Sequence, residues 1–202
     1  MKKILHVITS IKGGASASIK LSNAIIDNIL LDHPDSIVHT FDLSKHPFPH
    51  LEESHITSFG TASEALTPEN RVALKHSDEA IAAVLDADII VIGVPIYNFN
   101  IPSTLKAWID HIVRAGVTFK YIDGGPQGFV KNKKLYLAIA SGAVYSEGPY
   151  KENDFTEPYL RTIFGFIGIT DITTFRIEGT MVPGVLENAW PKALEAVKEY
   201  AF

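Results

Sequence analysis

The residues best suited to chemistry lie in three short segments, and the first has the composition of an anion-binding loop. Residues 10–18 read Ser-Ile-Lys-Gly-Gly-Ala-Ser-Ala-Ser. Small residues let the backbone wrap around an anion, while hydroxyl groups and the free N–H groups of a following helix donate hydrogen bonds to it. The segment does not match a Walker loop, the Gly-x-Gly-x-x-Gly pattern or a nucleophile elbow. It suits a monophosphate; the alternative is a flexible loop whose serines only cap a helix.

The second segment, residues 95–102, combines two prolines, two aromatic residues and two amides in the order Pro-Ile-Tyr-Asn-Phe-Asn-Ile-Pro. A planar heteroaromatic ring needs apolar groups against its faces and hydrogen-bond partners along its polar edge, and this segment offers both. Asn98 is the residue that we expect at the polar edge. The alternative is a stiff turn that buries Tyr97 and Phe99 in the core, where aromatic side chains are more often found.

The third segment, residues 140–145, reads Ala-Ser-Gly-Ala-Val-Tyr. Gly142 would let the backbone approach a flat ligand closely, because glycine has no Cβ. Taken alone, the segment is equally well explained as an ordinary turn at the end of a strand. The functional interpretation of all three segments therefore depends on whether the fold brings them together.

The hydrophobic pattern places each segment directly after a strand. Strands are predicted at residues 3–9, 36–43, 87–94, 135–140 and 171–177. The helices between them are marked by apolar spacing or by start and stop signals: Leu21, Ile25 and Ile29 at four-residue spacing, a start at Thr67-Pro68, a start at Pro102 with a stop at Gly116, and the ranges 157–166 and 186–200.

Strands that alternate with helices predict a parallel sheet covered by helices on both faces. Five strands favour a flavodoxin-like, doubly wound α/β fold with strand order 2-1-3-4-5 over a six-stranded dinucleotide-binding fold, and we expect one domain over residues 1–202. In such sheets ligands bind beyond the carboxyl ends of the strands, near the point where the strand order reverses. The loops that meet there follow the first, third and fourth strands, and they are the three segments described above.

The composition argues against several classes of function. The net charge is −5, without a strongly basic tract, so a nucleic-acid binder held by phosphate contacts is not expected. The chain has no cysteine, which excludes thiolate metal sites and iron–sulfur clusters, and any redox chemistry would require a bound cofactor. His46, His50 and His55 match no metal-ligand pattern, so no metal is expected. No segment approaches the ~20 apolar residues of a membrane span, and we expect a cytoplasmic protein with no membrane partner.

The chain resembles the FMN-dependent NADH azoreductases through these segments. The similarity continues through residues 105–106, 114–119 and 165–170, and it covers nearly the whole chain in order. It implies a flavodoxin-like homodimer with one FMN in each subunit and both active sites at the subunit interface. The activity implied is that of an NAD(P)H:quinone oxidoreductase that also reduces azo compounds.

Position by position, the resemblance implies that Ser10, Ser16 and Ser18 bind the FMN phosphate. Residues 96–99 correspond to the segment that holds the ribityl chain and the isoalloxazine ring, and residues 140–143 to the third flavin loop. The full set of implied FMN-binding residues is Ser10, Ser16, Ala17, Ser18, Pro95, Ile96, Tyr97, Asn98, Phe99, Ala140, Ser141, Gly142 and Ala143.

The implied mechanism needs no catalytic side chain, because the flavin carries the chemistry. NADH or NADPH would pass a hydride to flavin N5 and leave, and a quinone or azo compound would then take both electrons in a ping-pong sequence. Two alternatives stay open: a flavodoxin-type electron carrier, and an acyl-carrier-protein phosphodiesterase. Carriers of that kind are typically more acidic than this chain, and a phosphodiesterase would require a metal cluster or an activated nucleophile that the sequence does not show.

Phe119 and Tyr121 form one further candidate. They alternate in an extended segment and therefore share one side of it. Two interpretations stay open: a wall against which the substrate stacks, or a hydrophobic contact between the subunits of a dimer.

Overall fold

A computed structural model describes all residues of the chain, 1–202, around a central five-stranded sheet. The strands are β1 (Lys3–Ile8), β2 (Ile37–Asp42), β3 (Ile89–Pro95), β4 (Phe119–Ile122), β5 (Gly125–Gly128), β6 (Lys134–Ala140) and β7 (Asp171–Ile177). The helices are α1 (Ala17–Asp32), α2 (Glu53–Phe59), α3 (Pro68–Asp86), α4 (Ser103–Ile112), α5 (Thr156–Ile167) and α6 (Leu186–Glu199). The sheet has the order β2-β1-β3-β6-β7 and all its strands are parallel, which confirms the predicted fold class.

Helices cover both faces of the sheet. Ile25 of α1 and Ala193 of α6 belong to the buried cluster on one face. Ile81, Trp108 and Phe164, from α3, α4 and α5, belong to the larger cluster on the other face. Every residue of β3 is buried, as its nearly continuous run of Ile and Val predicts for a central strand of a parallel sheet. None of the helices is long and apolar enough to span a membrane.

Two elements were not predicted from the pattern: the short helix α2 and the antiparallel hairpin of β4 and β5. The hairpin packs against the end of α5, where Gly128 approaches the backbone of Ile167 so closely that a Cβ on Gly128 would lie only 2.1 Å from its carbonyl carbon. Any side chain at this position would displace the hairpin, because real Cβ atoms do not come so near to backbone atoms.

The predicted stop of α4 at Gly116 is wrong, because the helix ends at Ile112. The hydroxyl group of Thr118 explains the early end: it donates to the carbonyl oxygen of Ile112 at 2.7 Å and accepts from the N–H of Arg114 at 3.0 Å. A side chain that satisfies these backbone groups offers them an alternative to another helical turn. The predicted end of the third strand at Val94 is also one residue short.

Candidate functional site

The three candidate segments meet at one edge of the sheet, which we call the carboxyl rim. It consists of the first loop (residues 9–16), the second loop (96–102) and the third loop (141–146), which follow β1, β3 and β6. The Oγ atom of Ser10 lies 3.4 Å from the Oη atom of Tyr97, which joins the first loop to the second. The rings of Phe99 and Tyr145 meet edge to face with centroids 6.2 Å apart, which joins the second loop to the third.

The first loop and the first turn of α1 contribute three serine hydroxyl groups, and those of Ser16 and Ser18 are in contact. Ser10, Ser16 and Ser18 are buried, and the Oγ atoms of Ser16 and Ser18 lie 3.0 Å apart. Ser16 also caps the helix, because its Oγ accepts the N–H of Ile19 at 3.4 Å. The backbone N–H groups of Ala17 and Ser18 have no acceptor within the chain. The loop therefore caps a helix and leaves backbone donors without a partner, as an anion-binding loop would.

The second loop contains a tight turn in an uncommon conformation. Tyr97 and Asn100 exchange two backbone hydrogen bonds, 2.9 and 3.1 Å long, around Asn98 and Phe99. Both central residues have positive φ, 49° and 69°, as type I′ turns require. A phenylalanine in this region costs about 1–2 kcal/mol. Phe99 is 49% exposed, so the interpretation that it is buried in the core is wrong. Backbone strain of this kind is typical of functional sites.

The third loop begins with a hydrogen bond from the N–H of Ser141 to the carbonyl oxygen of Ile177, 2.9 Å long. The hydroxyl group of Ser141 then closes a small turn by donating to the carbonyl oxygen of Ala143 at 2.7 Å. The next three backbone N–H groups, those of residues 142–144, have no acceptor within the chain. This loop therefore presents a row of backbone donors at the rim.

A segment that the sequence analysis missed supports the third loop. The N–H groups of Gly179, Thr180 and Met181 donate to the carbonyl oxygens of residues 143, 141 and 142, at 3.1, 3.2 and 3.0 Å respectively. The Met181 side chain is 84% exposed, and its Sδ atom would lie 3.1 Å from a Cβ placed on Gly142. Only the Gly-Thr pair directly after a strand end hinted at this segment. Residues 179–181 thus lie against the third loop of the rim.

Phe119 and Tyr121 share one side of the hairpin, as predicted, but no ring contact or side-chain hydrogen bond joins them to the three loops. Phe119 packs on Phe166 of α5 with ring centroids 4.5 Å apart, and Tyr121 meets Phe119 edge to face at 5.7 Å. Tyr121 is exposed. Arg114, just upstream, turns away to Asp78, with an Nη1–Oδ1 distance of 2.7 Å.

The rim can bind a ligand that has an anionic end and a flat, acceptor-rich body. Its hydroxyl and unpaired N–H groups are donors, its three loops contain no aspartate or glutamate, and its exposed aromatic ring can cover a planar group. No three histidine, aspartate or glutamate side chains of the structure are arranged to hold a metal ion. The composition of the rim therefore suits the binding and orientation of a ligand.

Comparison with known proteins gives consistent results along the whole chain. A family model described as a flavodoxin-like fold matches residues 2–201. An FMN-dependent NADH:quinone oxidoreductase of Herminiimonas arsenicoxydans is 48% identical over 179 residues, which are 89% of this chain and 88% of that protein. Another protein with the same description, from Beijerinckia indica, is 42% identical over 199 residues, 98% of each chain.

Solved structures show the same similarity. The crystal structure of an azoreductase from Bacillus anthracis (strain Sterne) superposes with a TM-score of 0.87 at 32% identity, covering 99% of this chain and 100% of that one. An FMN-dependent NADH-azoreductase from the Ames Ancestor strain, solved in complex with FMN, gives a TM-score of 0.84 at 28% identity, covering 98% of each chain.

Proposed function

The chain belongs to the flavodoxin-like family, and we propose that its carboxyl rim holds FMN and binds both substrates. Its activity is that of an FMN-dependent NADH:quinone oxidoreductase. The observation that carries this proposal is the convergence of the three loops: the Ser10–Tyr97 and Phe99–Tyr145 contacts join them along one edge of the sheet. Azo compounds, which the related azoreductases reduce according to their names, are included among the acceptors.

The residues of the rim fit FMN chemically. Its phosphate is an anion, and the first loop offers the hydroxyl groups of Ser10, Ser16 and Ser18 with the free N–H groups at the start of α1. The isoalloxazine ring has acceptors along its polar edge, and the third loop offers the free N–H groups of residues 142–144. Asn98 in the second loop adds an amide side chain. We assign the ribityl chain and the ring to residues 95–99 and 140–143.

The bound FMN would supply the redox chemistry, taking a hydride at N5 and returning two electrons to the acceptor. The chain contributes orientation and exclusion of water. The strained turn at Asn98 and Phe99 fixes the position of the second loop, and the hydrogen bonds from residues 179–181 fix that of the third. Pre-organised donors of this kind cost no rearrangement during the reaction.

Nicotinamide and acceptor are both flat, and a single rim presents one site for them, so we propose that they bind in turn. The expected kinetics are ping-pong, with parallel lines when the reciprocal rate is plotted against reciprocal NADH concentration at several quinone concentrations. Intersecting lines would contradict this order. Comparing NADPH with NADH in the same assay decides which nicotinamide the rim accepts.

We propose that the chain forms a homodimer and that the hairpin cluster lies at the subunit interface. The cluster consists of Phe119, Tyr121 and Phe166. These residues are partly or largely exposed, and within one chain no ring contact joins them to the aromatic residues of the rim. They are therefore free to stack on the substrate in the site of a second subunit. Light scattering after size-exclusion chromatography should give twice the mass of the chain. Tyr121→Ala should raise the KM for the acceptor without loss of FMN.

One experiment tests the proposed function directly. The purified protein should be yellow, release FMN on denaturation, and oxidise NADH when a quinone is the only acceptor and no other reductase is present. If the protein binds FMN but NADH leaves the flavin oxidised, the chain is an electron carrier instead. If flavin-free protein released phosphopantetheine from acyl-carrier protein, the phosphodiesterase alternative would replace both.

A further inference from the structure

A network of partly buried ion pairs adjoins the third loop. Arg176, in β7, donates to Asp154 and Glu157 from one nitrogen, each at 2.5 Å, and from Nη1 to Glu178 at 3.0 Å. All four side chains are less than one-fifth exposed. Burial alone would raise the pKa of Glu157, but hydrogen bonds from Arg176 and Thr174 outweigh it and hold that pKa below its usual value.

Glu178 connects this network to the rim. Its Oε1 atom accepts the backbone N–H of Tyr145 at 2.9 Å and that of Ser146 at 3.1 Å. The same oxygen accepts the Nη1 hydrogen bond of Arg176, while Oε2 accepts none from the chain. Glu178 thus holds the outer end of the third loop, whereas the backbone of residues 179–181 holds its inner end.

The position of Tyr145 makes this contact relevant to the flavin. Its ring meets that of Phe99, whose φ of 69° is strained, so the outer end of the third loop braces the turn in the second. Neither Asp154 nor Glu157 touches the third loop by a hydrogen bond; their donors are Arg176, Arg161, Thr174 and the first turn of α5. Glu178 is therefore the one carboxylate of the network that can pass its constraint to the rim.

We infer that Glu178 is a positioning residue for FMN. One oxygen of its carboxylate accepts hydrogen bonds from the N–H groups of Tyr145 and Ser146 and from Arg176, and in this way Glu178 sets the geometry of the third loop. This inference rests on the proposed function. It predicts that the reach of the residue 178 side chain matters more than its charge. Glutamine keeps the single oxygen that all three donors use, and its NH₂ group takes the place of Oε2, which has no partner to lose. Aspartate keeps the charge but is one methylene group shorter.

The test compares four variants as holoenzymes by the rate at which FMN fluorescence appears after dilution. Glu178→Ala and Glu178→Asp should release FMN about tenfold faster than the unsubstituted protein, because no oxygen then reaches the N–H groups of Tyr145 and Ser146 and both hydrogen bonds to the loop are lost. Glu178→Gln should stay within about twofold of it. Glu157→Gln is the matched control, since it weakens the same network without touching the loop. The visible circular dichroism of the bound flavin, recorded at saturating FMN, should change only in the Ala and Asp variants.

The outcomes separate the two proposals. The inference is overturned if Glu178→Asp retains FMN like the unsubstituted protein, or if Glu157→Gln releases it as fast as Glu178→Ala, because the network would then act only on overall stability. If Glu178→Ala does not fold, the Asp and Gln variants decide by the same criterion. An unsubstituted protein that binds no FMN would instead refute the proposed function, and the inference with it.

Discussion

Two aromatic regions of the molecule use the same residue types in opposite ways. Near the amino ends of β6 and β7, Tyr136 is 1% exposed, and its ring lies 5.1 Å from that of Phe202 and 5.9 Å from that of Tyr200. At the carboxyl rim, Phe99 is half exposed, strained at φ 69° and touched by the ring of Tyr145. The first region gains stability from burial, whereas the second leaves an aromatic ring exposed in a strained turn.

The polar groups follow the same division. Burial raises the pKa of the Tyr136 hydroxyl, and the neighbouring Tyr200 raises it further, so this region buries a polar atom together with its ring. At the rim, hydroxyl and N–H groups are collected in one place, and several have no acceptor in the chain. Substitutions in the two regions should therefore separate stability from binding.

The largest effect is expected from Tyr136→Ala, which removes a buried ring. The free energy of unfolding should fall by about 3–5 kcal/mol, because the cavity between the neighbouring rings cannot close. Urea unfolding followed by circular dichroism measures the change. Tyr150→Ala, at an exposed tyrosine, is the matched control and should cost less than about 0.5 kcal/mol. Equal losses in both variants would mean that the aromatic cluster is not a source of stability.

The double variant Ser16→Ala with Ser18→Ala tests the rim. Two charge-assisted hydrogen bonds of at least ~1.5 kcal/mol each would be lost, so the Kd for FMN should rise by about 100-fold. Flavin fluorescence quenching measures that Kd. Thr67→Ala is the control: it removes the side-chain cap of α3, which should cost about 1 kcal/mol in stability, and Thr67 belongs to none of the three loops. Unchanged FMN affinity in the double variant would remove the serines from the phosphate site.

The free energy of unfolding should depend on pH through His6, which lies in β1. Burial lowers the pKa of His6 from 6.5 to about 4, and its Nε2 atom lies 2.8 Å from the Oγ of Ser22. The unfolded chain therefore binds a proton more readily than the folded one, and stability falls as the pH drops from about 6.5 towards 4. Between pH 7 and pH 5 this loss should be about 2 kcal/mol.

His6→Gln isolates this contribution, because glutamine does not titrate. Its unfolding free energy should change with pH less than that of the unsubstituted protein, by about 2 kcal/mol over the same interval. Part of the dependence should remain, since burial also lowers the pKa of His111. Identical slopes in the two proteins would show that His6 is not the residue that titrates.

The smallest effect on stability is expected from Phe99→Gly. Glycine adopts positive φ freely, so relief of strain should offset the entropy that glycine loses on folding, and stability should change by no more than about 1 kcal/mol. FMN should dissociate faster, because the exposed ring and its contact with Tyr145 are gone. A stability loss above about 2 kcal/mol would mean that Phe99 serves the core rather than the site.

Much of the fold could be predicted because its signals are local. Thr67-Pro68 marks the start of α3 through a capping box that the structure contains, and the apolar run of β3 gave a central strand. Pattern reasoning failed where a distant contact decides the local structure. The close approach of Gly128 to Ile167 places the hairpin, and the hydroxyl of Thr118 ends α4 early.

The candidate site divides in the same way. Its three loops were predicted, because small, hydroxyl and aromatic residues followed strands whose order could be deduced. Glu178 and residues 179–181 were not, because their contacts with the third loop join residues more than thirty positions apart. No periodicity or turn signal records such a pairing.

The amino-acid sequence by itself determined which segments are strands and helices and which loops hold binding groups, since hydrophobic period, capping and composition act over a few residues. Only the tertiary structure decided how those loops are held: the strained turn at Asn98, the brace of Tyr145 on Phe99 and the ion pairs behind them. These depend on the register of β6 against β7, which aligns Ala140 with Ile177 and so brings Glu178 to the loop. Register is a property of the assembled sheet, because the packing of both faces selects it.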